Sequence, residues 1–209
     1  MSMDALFEQL RHPNPHLREE AIWQIAESRD ETTIPRLMSL LGEEDVVYRR
    51  AAVKTLGAIG LPAVNPLVET LLTSDNPVVR ASCGKALAQV AVNYPDIVFP
   101  EEALAGLKAC IEDPNPVVHL VSIMALGEMG TQGLEILTES LQTTENPSVA
   151  MAVINALGSI PDPRAMDALN AVCQDESRDE MLREAAKSAT SRLEQVIKFK
   201  EVNDARFNR

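Results

Sequence analysis

Aromatic side chains are scarce in this chain: four Phe, two Tyr and one Trp among 209 residues. That leaves too little material for base-stacking platforms along a nucleic acid. Basic residues are also in deficit, 19 Lys and Arg against 31 Asp and Glu, for a formal charge of −12. Such a surface repels phosphates, so nucleic acid is excluded as a partner. Three cysteines, odd in number and far apart, make no disulfide framework, and a reducing, cytoplasmic location is expected. No apolar run approaches the ~20 residues of a membrane span. The start, Met1 to Ala5, lacks the basic and apolar regions of a signal peptide. Sustained period-two alternation and Asn-Gly hairpins are missing, so strands are not expected. No P-loop, HExxH, CxxC pair or GxSxG motif occurs. His12, His16 and His119, with Cys83, Cys110 and Cys173, show no metal-ligand spacing, so no metal site is expected.

The chain does have ample apolar content, 45%, enough for a packed core. It also has an internal repeat. Asn or Asp, often followed by Pro, stands four residues before an anchor position, usually basic. A small residue follows three after the anchor and an apolar one seven after. Examples are Asn14-Pro15…Arg18…Ala21…Ile25, Asp45…Arg49…Ala52…Leu56 and Asn76-Pro77…Arg80…Cys83…Leu87. The six anchors lie at 18, 49, 80, 119, 150 and 183. Asn or Asp reads as a helix N-cap, and Pro is tolerated at the next position because its missing N–H has no helical partner there. Gly60 and Gly130 read as helix ends. A second apolar-periodic segment precedes each cap, for instance Val64–Leu72 and Ala103–Ile111. Each repeat is therefore a helix pair of about 30 residues, too small to bury its own apolar face. Stacking solves this. The expected fold is all-α: a right-handed α-solenoid of about six helix hairpins over residues 1–195. Residues 196–209 form a helical extension or tail. Leu6, Phe7 and Leu10 look poorly suited to a solvent-facing end, which predicts a partner covering the first helix.

Arg18, Arg49 and Arg80 suggest a structural ladder between repeats, and Asp45/Arg49 and Asp179/Arg183 have the spacing of i,i+4 ion pairs. His119 takes the anchor place in repeat four, either as a member of that ladder or as a titratable group near a ligand. Cys83 fills the small-residue slot of Ala21 and Ala52, as a core thiol would. Positions one and five after each anchor should project together from the second helices. They carry Arg50, Lys54 and Lys85 in repeats two and three, then Leu120, Met124 and Met151 in repeats four and five. This is a candidate interaction surface, basic and then apolar. The 39-residue step between anchors 80 and 119 places an insertion at 92–100. Its Tyr94, Asp96 and Phe99 are either a recognition loop or a packing loop.

The strings Tyr48-Arg49-Arg50-Ala51-Ala52-Val53-Lys54-Thr55-Leu56-Gly57 and Asp113-Pro114-Asn115-Pro116-Val117-Val118-His119 resemble HEAT-like repeats of the phycobilisome lyase type. Residues 12–18 and 85–95 narrow the likeness to the F-type, or beta, subunits of the E/F-type phycocyanobilin lyases. The resemblance covers nearly all of residues 1–195. It implies a heterodimer with a homologous E-type subunit, and a chain inactive without it. It also implies thioether attachment of phycocyanobilin, as a substrate and not a cofactor, to a cysteine of the phycocyanin alpha chain. The Asn-His-Cys tripeptide of related isomerising lyases is absent, and Ala81-Ser82-Cys83-Gly84 does not replace it. Ligation without isomerisation is the implied activity. Catalytic residues are not indicated. The competing expectation is a non-catalytic HEAT-like scaffold or adaptor that binds phycobiliproteins.

Overall fold

The structure, a computed structural model, describes the backbone of residues 1–207 and the side chains of residues 1–199. Asn208 and Arg209, at the end of the expected tail, lie outside the described residues. Among the described residues there are twelve α-helices and no strand. They alternate as the repeat predicts. The first helices are α1 (Met3–Gln9), α3 (Thr33–Ser39), α5 (Leu61–Thr73), α7 (Glu101–Ala109), α9 (Leu134–Thr143) and α11 (Pro163–Gln174). The second helices, which carry the anchors, are α2 (Pro15–Ser28), α4 (Val46–Ile59), α6 (Pro77–Asn93), α8 (Pro116–Glu128), α10 (Pro147–Leu157) and α12 (Glu180–Phe207). The extension expected at 196–209 thus continues α12 as helix to Phe207.

The caps explain where the second helices begin. Side-chain oxygens of Asn14, Asp45, Asn76, Asn115, Asn146 and Asp179 each accept from the N–H two residues on, at 2.7–3.0 Å. Each satisfies one of the donors that a helix start leaves open. The chain divides into two compact units, Met1–Ala125 and Leu126–Arg209. In the first, α2 packs on α4 and α4 on α6, while α3 packs on α5 and α5 on α7. Gly84 lets α6 approach α8, since a Cβ there would fall 2.7 Å from Val121 Cγ2. The core includes Phe7, Ile25, Leu37, Leu56, Leu67, Leu87 and Leu107, all fully buried. In the second, α9 packs on α10 and α11, and α10 and α11 on α12, around Leu137, Val153, Leu157 and Leu169. Each unit is a run of stacked helix pairs, the arrangement of an α-solenoid.

Two sequence expectations need correction. Leu6, Phe7 and Leu10 are buried within the chain, and the Arg36 guanidinium stacks on Phe7 at 3.8 Å from the ring centre. The first helix therefore does not demand a partner. The anchor arginines act first inside their own repeats. Arg18 donates to the His12 carbonyl, Arg49 to that of Glu43 and Arg80 to that of Ser74. These carbonyls follow α1, the short 3-10 turn Leu40–Gly42 and α5, so each arginine ties the end of a first helix to the start of the second. Asp45 and Asp179 act as caps, and Arg49 turns to a carbonyl instead of an i,i+4 carboxylate. A link between repeats does exist at Arg80, whose Nε and Nη2 both donate to the Asp113 carboxylate at 3.1 Å.

Candidate interaction surface

The predicted surface residues sort by exposure. Arg50, Lys54, Lys85, Leu120 and Met124 all face solvent on α4, α6 and α8 of the first unit. Met151, on α10, belongs to the second unit and is half-buried. His119 is buried, only 8% exposed, and so stands off the accessible surface. In the insertion, Phe99 is buried, and Tyr94 donates its hydroxyl to the Ala58 carbonyl while its ring closes over Gly60. Of the three insertion residues, Asp96 is left as a solvent-facing charge. The structure thus gathers the basic and apolar surface residues of α4, α6 and α8 in one unit, and gives Tyr94 and Phe99 packing roles.

Two larger hollows open on this face, besides a smaller one beside Trp23 and Gln89. One, of ≈ 560 Å³ including solvent-open space, lies between α2 and α4, with Ile22, Val47, Arg50 and Lys54 in its walls. The other, of ≈ 500 Å³, lies along α4, α6 and α8, lined by Arg49, Val78, Lys85 and Val117 among others. The cations are not equivalent. Lys54 Nζ lies 3.3 Å from Glu19 Oε2, and the Trp23 indole N–H donates to the other oxygen of Glu19. Among the described residues, no carboxylate pairs with Arg50 or Lys85.

Sequence reasoning missed a further row. Val47, Val78 and Val117 stand two residues before their anchors, in the first turn of α4, α6 and α8, and each is 42–46% exposed. The signal was present in the pairs Val47-Tyr48, Val78-Val79 and Val117-Val118 just before the anchors, where the first residue of each pair is the more exposed. The thiols offer no accessible nucleophile here. Cys83 is buried and its pKa is pushed up to about 12 by desolvation, while burial also raises Cys110.

Stacked helix pairs of this kind define a helical-repeat protein. The HEAT-repeat family model matches residues 3–88 and 104–190, and the interval between the two matches contains the insertion. The uncharacterized phycocyanin operon protein Z of Pseudanabaena tenuis (strain PCC 7409) is 54% identical over 200 residues, covering 96% of this chain and 99% of that one. Bilin biosynthesis protein CpeZ of Synechococcus sp. (strain WH8020) is 33% identical over 184 residues, covering 85% and 98%. The structure of human deoxyhypusine hydroxylase, 20% identical with a TM-score of 0.51, covers 92% of this chain and 84% of that one and shares the fold alone. The chain belongs to the HEAT-repeat family and, within it, is a relative of the bilin biosynthesis protein CpeZ. The named relatives are Z proteins, a coarser placement than the F-type subunit that the sequence strings suggested.

Proposed function

We propose that this chain is one subunit of a two-subunit bilin lyase that joins phycocyanobilin through a thioether to a cysteine of the phycocyanin alpha chain. Its partner is a homologous E-type subunit, without which it is inactive. The observation that carries this reading is the near-full-length likeness to proteins named for bilin biosynthesis and for a phycocyanin operon. The reaction needs little from the protein in covalent terms. The acceptor thiol adds across the ethylidene double bond of the bilin. Its sulfur bonds to carbon, and its proton passes to the tetrapyrrole, with no change in overall oxidation state. Nucleophile and electrophile both come from the substrates, so the lyase has to hold one bilin conformer and present one cysteine. A broad exposed surface without an activated thiol is compatible with that division of labour, and equally with a non-catalytic role. Phycocyanobilin enters as a substrate, and no resident cofactor is required. No described helix is long and apolar enough to cross a membrane. An acceptor cysteine that must be a free thiol fits work in the reducing cytoplasm.

The second reading is a non-catalytic adaptor for phycobiliproteins. The burial of His119, Cys83 and Cys110 favours it, because none of these groups is presented on the surface for proton or covalent chemistry. Reconstitution separates the two. This chain, an E-type subunit, apo phycocyanin alpha chain and phycocyanobilin are combined, and bilin that survives denaturation is measured by absorbance. Attachment that needs both subunits supports the lyase. Equal attachment in the absence of this chain, with only the yield of soluble alpha chain improved by it, would replace it by the adaptor.

A further inference from the structure

We infer that the exposed face of α2, α4, α6 and α8 in the first unit is the surface that receives the partner subunit, and that the partner covers it with an apolar ridge flanked by carboxylates. The partner's identity rests on the two-subunit reading above. The chemistry of the surface does not.

Three observations carry the inference. The first is the row of Val47, Val78 and Val117, continued on α8 by Leu120 and Met124, every one of them more than 40% exposed. Apolar side chains repeated at the start of three consecutive second helices, each with more than 40% of its surface left in solvent, form the kind of contiguous apolar row that marks an interaction site. The second is charge. Arg50 and Lys85 flank this row without a carboxylate partner among the described residues, in a chain whose formal charge is −12. The other cations nearby are already engaged: Arg49 by a carbonyl, Lys54 by Glu19, and Arg80 by Asp113. Two unanswered cations beside an apolar row are complementary to carboxylates beside an apolar ridge.

The third observation is shape. Packed helices lie about 8–10 Å apart, so four neighbouring second helices present a face roughly 25 Å across. The two larger hollows on it are open to solvent and spread over more than one helix. A small ligand is held in an enclosed cleft that covers most of its surface, whereas a protein partner covers about 800 Å². The open, extended form fits the protein.

The test measures association with the E-type subunit by biolayer interferometry at low and high salt, and bilin attachment in the same mixtures. The double variant Arg50→Glu/Lys85→Glu and the single variant Leu120→Asp are compared with wild type and with Lys108→Glu on α7. Far-UV ellipticity verifies folding. If Leu120→Asp misfolds, the double variant decides, since both of its positions are solvent-exposed. The double variant is expected to bind at least about tenfold more weakly, with a flattened salt dependence, while Lys108→Glu binds as wild type. Acetylation footprinting should show Lys85 protected in the complex. Wild-type affinity for the double variant, or an unprotected Lys85, overturns the inference and leaves the two-subunit reading standing. Normal association with lost bilin attachment also overturns it, because the face would then hold the bilin. A wild-type chain that does not bind the E-type subunit defeats the two-subunit reading itself, and this inference with it.

Discussion

Arg80 and Asp113 pair across successive repeats with little solvent around them, their side chains 16% and 10% exposed. The same carboxylate accepts the Asn115 N–H at 2.8 Å, so it also fixes the residue that caps α8. Removing its charge leaves a guanidinium enclosed and half-answered, which costs more than losing a solvated pair. Asp113→Asn should therefore destabilise the chain by about 2–3 kcal/mol, read as a lower urea midpoint. Glu19→Gln, which breaks the exposed Lys54 pair, should cost between about 0 and 1 kcal/mol. Equal midpoints for the two variants would mean that enclosure adds nothing to the Arg80–Asp113 pair. The sequence spacing identified both basic residues, but their partners were not readable. An arginine's partner depends on which carbonyls and carboxylates the loop before α2, α4 or α6 brings within reach, and that is decided by the packing of the helices on either side.

At the scale of elements, the six N-caps were legible because one local interaction, side-chain oxygen to N–H two residues on, is written in the sequence itself. The helix pairs followed from the 3.6-residue period of their apolar residues. The behaviour of the insertion was not legible, because it depends on a contact with a residue far back along the chain. Tyr94 reaches back to the Ala58 carbonyl, and its ring fills the space beside Gly60, where φ is +78°. Gly60 ends α4 and begins α5, so one residue turns the chain between repeats and receives the insertion. A Cβ at this position would lie 2.8 Å from the Tyr94 ring, in a backbone conformation that L side chains avoid. Gly60→Ala should cost about 1–3 kcal/mol by thermal or urea unfolding. It should also increase proteolysis at residues 92–98, since the ring is displaced from its seat. Unchanged stability would show that the turn adapts, and that Tyr94 is not held by it.

For the whole molecule, the question is whether the chain takes any covalent part in bilin transfer. Its three cysteines are the only groups that could carry a bilin as a thioether. Cys83 lies fully buried in the small-residue row that also holds Ala21 and Ala52, and burial raises its pKa to about 12. At pH 7 only about one thiol in 10⁵ would be ionised there. The raised value means that the folded state holds the proton while the unfolded chain releases it. Its contribution to stability is thus complete below the ordinary thiol range, and it is lost as pH rises towards about 12. Cys110 is buried and shifted the same way, and Cys173 is half-buried, with its sulfur 4.0 Å from the Arg183 carbonyl oxygen. A chain with Cys83, Cys110 and Cys173 all changed to Ala should fold with a modestly lower melting temperature, because Ala already fills the Cys83 slot in two other repeats. On the proposed lyase reading, with the E-type subunit, apo alpha chain and phycocyanobilin, it should attach bilin at close to the wild-type rate, since there the nucleophile belongs to the acceptor. Loss of attachment by a variant that remains folded and associated would mean that the bilin passes through a thiol of this chain. Retained attachment leaves shape and charge, presented by the exposed faces of the second helices, as its contribution to the reaction.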